Sequence, residues 1–254
     1  MKADFHFHTC LSKAHPFDID FFRQSVSRAR EQDIAAIGIT DHHDTQEYES
    51  IYTTLDRHYP YNGHYYLADG VRYYPGIEVA VREGAHLLVS GTRDDILTYY
   101  DRLRPHLEPE AFPTLEEFFA MQSGMDVLNI FAHPLRLKHE IDRVPAAALS
   151  RFDALDLNGK DLRRLGLEHR ALIEHLGRDH HLPVLAGSDT HHFLMVGCVS
   201  NDFHQSFETI ADLRRLIHAG AYTVIVQPDL TERVQAAQAM KKAIKNASAE
   251  TGGP

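Results

Sequence analysis

Short apolar runs alternate along the chain with longer segments in which apolar residues recur every three or four positions. The short runs predict strands at Ala3–Phe7, Ile34–Thr40, Tyr73–Val79, His86–Ser90, Val127–Ala132, Ala154–Asn158 and Pro183–Gly187, with Tyr222–Val226 as an eighth. The longer segments predict helices at Phe17–Gln32, Thr45–His58, Asp94–Leu103, Thr114–Ser123, Asp161–His180 and Thr209–Ala219. Thr114 followed by Glu117 has the form of a capping box, in which each residue's side chain satisfies a backbone amide of the other. Strand–helix alternation predicts a parallel sheet covered by helices, and seven or eight such units predict closure into a barrel. No Gly-rich loop follows the first strand, which argues against a dinucleotide-binding fold. Glu232–Lys245 reads as a terminal helix and Asn246–Pro254 as a frayed end. The expected organisation is one barrel over residues 1–230, followed by a C-terminal helix and tail over 231–254.

Composition narrows the function classes. The 254 residues carry a formal charge of −10, which disfavours the broad basic footprint that long nucleic acid requires but permits a locally basic pocket. The opening MKADFHFH has no apolar signal-like run, and no stretch of apolar residues is long enough to span a bilayer. Two cysteines, Cys10 and Cys198, are too few for a disulfide framework, so a reducing cytoplasm is the expected compartment. Histidine is the unusual component, with 19 copies. It is the commonest metal ligand and the side chain that titrates near neutrality.

Position makes those histidines informative. The first expected strand ends in His6-Phe7-His8, the second in Thr40-Asp41-His42-His43 and the third in Gly76-Ile77-Glu78. His86 opens the fourth, His133 follows the fifth, and Gly187-Ser188-Asp189-Thr190-His191 follows the seventh. Side chains alternate along a strand, so His6 with His8, and Asp189 with His191, point to a common face. Active sites of parallel barrels are assembled from such strand ends. Each motif has an ordinary reading by itself: an incidental His-x-His pair, Asp41 as a helix cap, Glu78 at a surface turn, His86 as a bonded core histidine. Together they converge on one end of one expected barrel, where burial without a cation is costly. Imidazole and carboxylate without thiolate suit Zn, Mn, Fe or Co.

This ordered set (His6-x-His8-Thr9-x-x-Ser12, Ile39-Thr40-Asp41-His42, Gly76-Ile77-Glu78-Val79, His86-Leu87-Leu88, Ala132-His133-Pro134 and Gly187-Ser188-Asp189-Thr190-His191) resembles the polymerase and histidinol phosphatase (PHP) superfamily over about residues 3–226. The stretch from Gly197 to Thr223 is similar to the way that family ends. The resemblance implies an α/β fold of the distorted (β/α)7 TIM-like barrel type and hydrolysis of phosphate esters with two or three divalent metals. It further implies that His6, His8 and Asp189 hold one metal, that Glu78 bridges to a second held by His86 and His133, and that His42 and His191 serve a third. The sequence departs from the pattern after His8, where Lys13 and Ala14 stand in place of the acidic or histidine ligand of many relatives. Either His15 completes the third site, or that site is weak, or the Lys13 ammonium replaces its cation; His15 is the preferred ligand.

The expected activity is a phosphoesterase acting on a small phosphorylated metabolite through a metal-activated water, with Glu78 as bridge and Asp41 orienting an imidazole. Arg136, Lys160 and Lys13 are the candidate substrate-phosphate contacts. His43, His64, His139 and His192 are candidates for substrate contact or proton donation, and each is expected at the solvent-exposed surface. The alternatives are a phosphodiesterase or exonuclease on short oligonucleotides, an amidohydrolase, and a non-catalytic metal-binding regulatory module. The tyrosine-rich segment Tyr59-Pro60-Tyr61, Tyr65-Tyr66, Tyr73-Tyr74 reads as a lid, a subunit interface or core packing. Oligomeric state and the identity of the metal do not follow from the sequence.

Overall fold

A computed structural model of the protein describes residues 1–136 and 140–251. Eleven strands occur among these residues: β1 (Lys2–Phe7), β2 (Ile34–Ile39), β3 (Tyr66–Ala68), β4 (Val71–Tyr74), β5 (Gly76–Ala80), β6 (His86–Ser90), β7 (Leu128–Ala132), β8 (Ala154–Asn158), β9 (Val184–Gly187), β10 (Val199–Phe203) and β11 (Tyr222–Val226). The helices are α1 (Ile19–Glu31), α2 (Tyr48–His58), α3 (Arg93–Leu103), α4 (Leu115–Ala120), α5 (Ala146–Leu149), α6 (Gly159–Leu165), α7 (Glu168–Asp179), α8 (Ile210–His218) and α9 (Leu230–Thr251). Local chemistry sets their limits. Asp18 caps α1 by accepting from the backbone N–H groups of Asp20 and Phe21, and the Thr114/Glu117 capping box starts α4 as expected. The single helix expected over Asp161–His180 is two helices, because Gly166 takes a left-handed φ of 81° at the end of α6.

The strands form two sheets rather than one closed barrel. One has the order β11-β10-β1-β2-β4-β3, and the other β5-β6-β7-β8-β9. They meet at two seams, each marked by an isolated parallel bridge, Phe7 to Thr190 on one side and His42 to Glu78 on the other. The physical reason lies at the edges of β1 and β2. Strand β10 pairs with β1 at Lys2 and Ala3, and β4 pairs with β2 at Ala36–Gly38, so those edges are already hydrogen-bonded. Only the C-terminal ends of β1 and β2 remain for β9 and β5. The expected strand Tyr73–Val79 is accordingly two strands that belong to different sheets, broken at Pro75. Gly76 makes the crossing feasible, since a Cβ there would stand 2.5 Å from the Ile39 carbonyl oxygen and 2.6 Å from that of Val89.

The sheets are not wholly parallel either. Strand β6 runs antiparallel to both β5 and β7. This explains why His86 opens its strand while the other candidates close theirs: reversal puts its N-terminus at the same end of the sheet. The tyrosine-rich segment packs as core, with Tyr65, Tyr66, Tyr73 and Tyr74 buried around β3 and β4. Helix α9 is anchored by buried Val234 and Ala237 and by the Arg163–Gln238 hydrogen bond to α6. It begins at Leu230, two residues before the expected start. No helix among the described residues is long and apolar enough to cross a membrane.

Candidate metal centre

Both seams end at the same place. At one, the His8 N–H donates to the Thr190 carbonyl and the Asp189 N–H to that of His6; at the other, the Glu78 N–H donates to Asp41 and the His43 N–H to Glu78. These four bonds lock the ends of β1 and β2 against the other sheet and set the neighbouring side chains facing one another. The placement strains the backbone. His133 and Asp189, both non-glycine, have φ of 30° and 55°, a region that costs roughly 1–3 kcal/mol per residue and is retained where the surroundings dictate it. Gly187, the last residue of β9, stands two positions before Asp189; a Cβ there would meet Asp156 Oδ1 at 2.4 Å and the His6 Cβ at 2.5 Å.

Glu78 is the centre of the cluster. Its Oε2 stands 3.5 Å from His6 Nε2, 3.2 Å from His8 Nε2 and 3.2 Å from His42 Nδ1. Its Oε1 stands 2.8 Å from His86 Nδ1 and 3.3 Å from His133 Nε2. One carboxylate thus addresses two groups of imidazoles, one with each oxygen. Asp189 Oδ1 lies 3.3 Å from His8 Nε2 and 3.7 Å from His6 Nε2. Among the described residues, three groups have ligand atoms mutually close enough to surround a cation: His6/His8/Asp189, His42/Glu78/His86 and His8/His42/His191.

The fit to divalent cations rests on unpaired atoms. His6 Nε2, His8 Nε2, His42 Nδ1 and Glu78 Oε2 are all buried, and none has a hydrogen-bond partner. Orphaned buried polar atoms are uncommon in folded proteins and here all four face each other. Two ligands bound at about 2.1 Å to a tetrahedral cation stand about 3.4 Å apart, close to these separations. Burial pushes His42 and His191 well below the ordinary histidine range and His133 to about 4, a direction that favours the neutral form a metal ligand needs. Glu78 and Asp189 stay ionised. Burial opposes this, but the imidazoles around Glu78, and Lys160 and Arg136 beside Asp189, outweigh it and hold both carboxyls well below their usual range.

Around the cluster are groups that position it. Asp156 Oδ2 accepts from His6 Nδ1 at 2.9 Å, which turns Nε2 toward Glu78. Despite burial, Asp156 and Asp189 hold the His6 pKa well above its usual value. Asp156 was not singled out in the sequence, although Asp156 and Asn158 alternate with Leu155 and Leu157 and so announce a polar face in β8. Asp4 was also missed; it accepts from the backbone N–H of His6 and of Ser188 and ties the two ligand-bearing loops together. Asp41, expected to orient an imidazole, instead accepts from the Thr9 N–H and hydroxyl and from the Cys10 N–H. Its carboxylate is spent on anchoring the loop that follows His8.

The remaining candidates divide. Lys160 Nζ donates to Asp189 Oδ1 at 2.7 Å and to His191 Nδ1 at 3.0 Å, and Arg136 spans Asp161 and Asp189 Oδ2. Both cations therefore reach the rim of the cluster. Lys13 does not: it pairs with Asp44 at 2.8 Å. His15 is also apart, with Nδ1 bonded to the Ser12 hydroxyl at 2.7 Å. Of the histidines expected at the surface, His43 and His192 are buried, His64 is half-buried, and His139 lies outside the described residues. His43 Nε2 donates to the His106 carbonyl, away from the cluster.

Comparison with known proteins sharpens this picture. A family model described as PHP-associated matches residues 169–222. No curated protein matches the chain by sequence. Among solved structures, PsfC from Pseudomonas syringae PB-5123 superposes with a TM-score of 0.80 at 20% identity, covering 96% of this chain and 98% of PsfC. The lesion-specific endonuclease EndoQ from Pyrococcus furiosus superposes at 0.62 and 19% identity, over 88% of this chain and 57% of the endonuclease. Endonuclease Q in complex with a 27-mer duplex carrying an abasic lesion gives 0.60 at 19% identity, over 87% and 57% of the two chains.

Proposed function

We propose that the chain, whose residues 169–222 match a PHP-associated family model, is a PHP-type metal-dependent phosphoesterase that hydrolyses a small phosphomonoester. The observation that carries this reading is the set of four buried, unpartnered ligand atoms around Glu78 with two cationic side chains at its rim. His6, His8, Asp189, Glu78, His42, His86 and His133 would hold two divalent cations, with His191 joining His8 and His42 for a third. Zn, Mn and Fe all suit these donors. Such cations supply Lewis acidity and a water of lowered pKa.

The chain's own groups supply the rest. Asp156 holds the His6 ring in one orientation. Glu78 keeps the two imidazole sets at fixed separation. Arg136 and Lys160 present two positive charges on the side of Asp189, where a phosphoryl group needs neutralisation. A small substrate is favoured over long nucleic acid by the charge of −10. The likeness to a duplex-bound endonuclease keeps short oligonucleotides as the second reading.

The test is Glu78→Gln against a panel of phosphomonoesters, dinucleotides and amides at saturating Zn, Mn or Fe. Turnover of the best phosphomonoester should fall by about 100-fold or more, with loss of bound metal and an unchanged far-ultraviolet spectrum. A variant that keeps more than a tenth of wild-type turnover removes the bridging role. Preference for dinucleotides or amides transfers the assignment to those classes.

A further inference from the structure

Each carboxylate oxygen of Asp189 meets a different cation. Lys160 Nζ reaches Oδ1 at 2.7 Å and Arg136 Nη2 reaches Oδ2 at 2.8 Å. Both contacts are set by the first turn of α6. Asn158 starts that helix by accepting from the Lys160 N–H, which places Lys160 and Asp161 in its opening turn. Lys160 acts on Asp189 directly. Asp161 acts on it at one remove: its Oδ1 and Oδ2 stand 3.0 and 3.2 Å from Arg136 Nε, so that one N–H is shared between both oxygens.

Asp161 is only 2% exposed, and a carboxylate so deeply buried is strongly unfavourable unless it is paired. Arg136 is its close partner, with the half-exposed Arg164 guanidinium 3.7 Å from Oδ1. Arg164 also donates to the Arg136 backbone carbonyl at 2.9 Å. Helix α6 therefore holds Arg136 by its side chain and by its main chain. A guanidinium is planar and carries its donors in a fixed fork. Fixing Nε on one carboxylate and Nη2 on another sets the plane and the direction of every other donor. The Arg136 side chain is still 20% exposed, so part of that fork faces solvent beside the cluster.

We propose that Asp161 is a positioning residue, which fixes the Arg136 guanidinium so that its terminal nitrogens meet a phosphoryl oxygen at the rim of the metal centre. The assignment rests on the phosphoesterase reading and deepens it, because one helical turn then arranges both cations of the phosphoryl clamp. Without Asp161, a single N–H to Asp189 leaves the guanidinium free to turn about that bond. Phosphate binding then bears the cost of ordering a long side chain.

Inorganic phosphate, titrated calorimetrically into the metal-loaded protein, reads the clamp without turnover. Asp161→Asn should weaken phosphate by about three- to tenfold, the cost of ordering one such side chain, with metal content unchanged. In an Arg136→Met background the same substitution should no longer weaken phosphate, because Asp161 acts through Arg136. Proton–nitrogen correlation NMR supplies a signature independent of binding. The Arg136 Nε–H, identified by its loss in Arg136→Met, should be sharp and protected from solvent exchange, and Asp161→Asn should broaden it. Equal or tighter phosphate binding in folded Asp161→Asn, or the same loss in both backgrounds, overturns the proposal and leaves Asp161 balancing charge alone. Rapid exchange of the Nε–H in the wild type overturns it too, whether or not Asp161→Asn folds. A metal-loaded wild type that neither binds phosphate nor hydrolyses any phosphate ester overturns the phosphoesterase reading and the clamp with it.

Discussion

Glu78 Oε2 and His8 Nε2 stand 3.2 Å apart, both buried and neither hydrogen-bonded. Desolvated polar atoms left without partners cost roughly 1–3 kcal/mol each, and a cation between them removes that cost. Metal binding and folding stability are therefore linked. Adding metal at 100 times its Kd to chelator-stripped protein should stabilise it by about 2.7 kcal/mol per site, raising Tm by about 5–10 °C. Differential scanning calorimetry with and without chelator measures the shift. Coincident melting curves would contradict a metal centre at Glu78.

The Asp156–His6 contact predicts a separable defect. Asp156→Asn removes the carboxylate that accepts from His6 Nδ1 and leaves a side chain of nearly equal volume. Metal affinity should fall by about 10–100-fold, with the far-ultraviolet spectrum unchanged. Competition against a chromogenic chelator reads the affinity, and an unaltered value would reduce Asp156 to a packing residue.

The two histidines considered for a third metal position are placed differently. His15 is bonded to Ser12, whereas His191 is grouped with His8 and His42. His15→Ala should keep the wild-type metal content, and His191→Ala should lower it. Elemental analysis at saturating metal distinguishes them; loss of one equivalent in His15→Ala would restore it as a ligand.

Both thiols should be inert in the native protein. Burial raises Cys198 to about 12 and, with the nearby Asp41 carboxylate, raises Cys10 as well. At pH 8 neither is a thiolate, the form that reacts. Ellman's reagent should label less than about a tenth of the thiol in folded protein and both cysteines after denaturation. Rapid native labelling would show that one thiol is accessible.

Much of the candidate site could be read along the chain. Strand alternation makes His6 and His8 neighbours on one face whatever the fold, whereas Asp189 lies beyond β9 with a φ of 55°, so its placement comes from the turn and not from alternation. Glu78, His86, His133 and His42 were legible because short apolar runs mark strands and the ligand types sit at their ends. Strand identity survived well for β1, β2, β6, β7, β8 and β9, which are short apolar runs or alternate apolar with polar residues. Two short strands, β3 and β10, were not legible, since a three-residue run and the mixed Val199–Phe203 carry too little periodicity.

The remainder was decided by long-range pairing. Nothing local states that β10 and β4 take the edges of β1 and β2, yet that competition divides the expected barrel into two sheets and confines the seams to the ligand-bearing ends. Direction is also invisible locally: a strand reads alike parallel or antiparallel, and only pairing with β5 and β7 turns His86 inward. Long, flexible side chains have many reachable partners, so sequence spacing could not choose between Lys13 and Lys160. Tertiary structure chose by charge, giving Lys13 to Asp44 and Lys160 to Asp189. Strand-end chemistry was local and therefore written in the sequence; edge pairing and ion-pair partners depend on residues distant in the chain, and only the folded structure determines them.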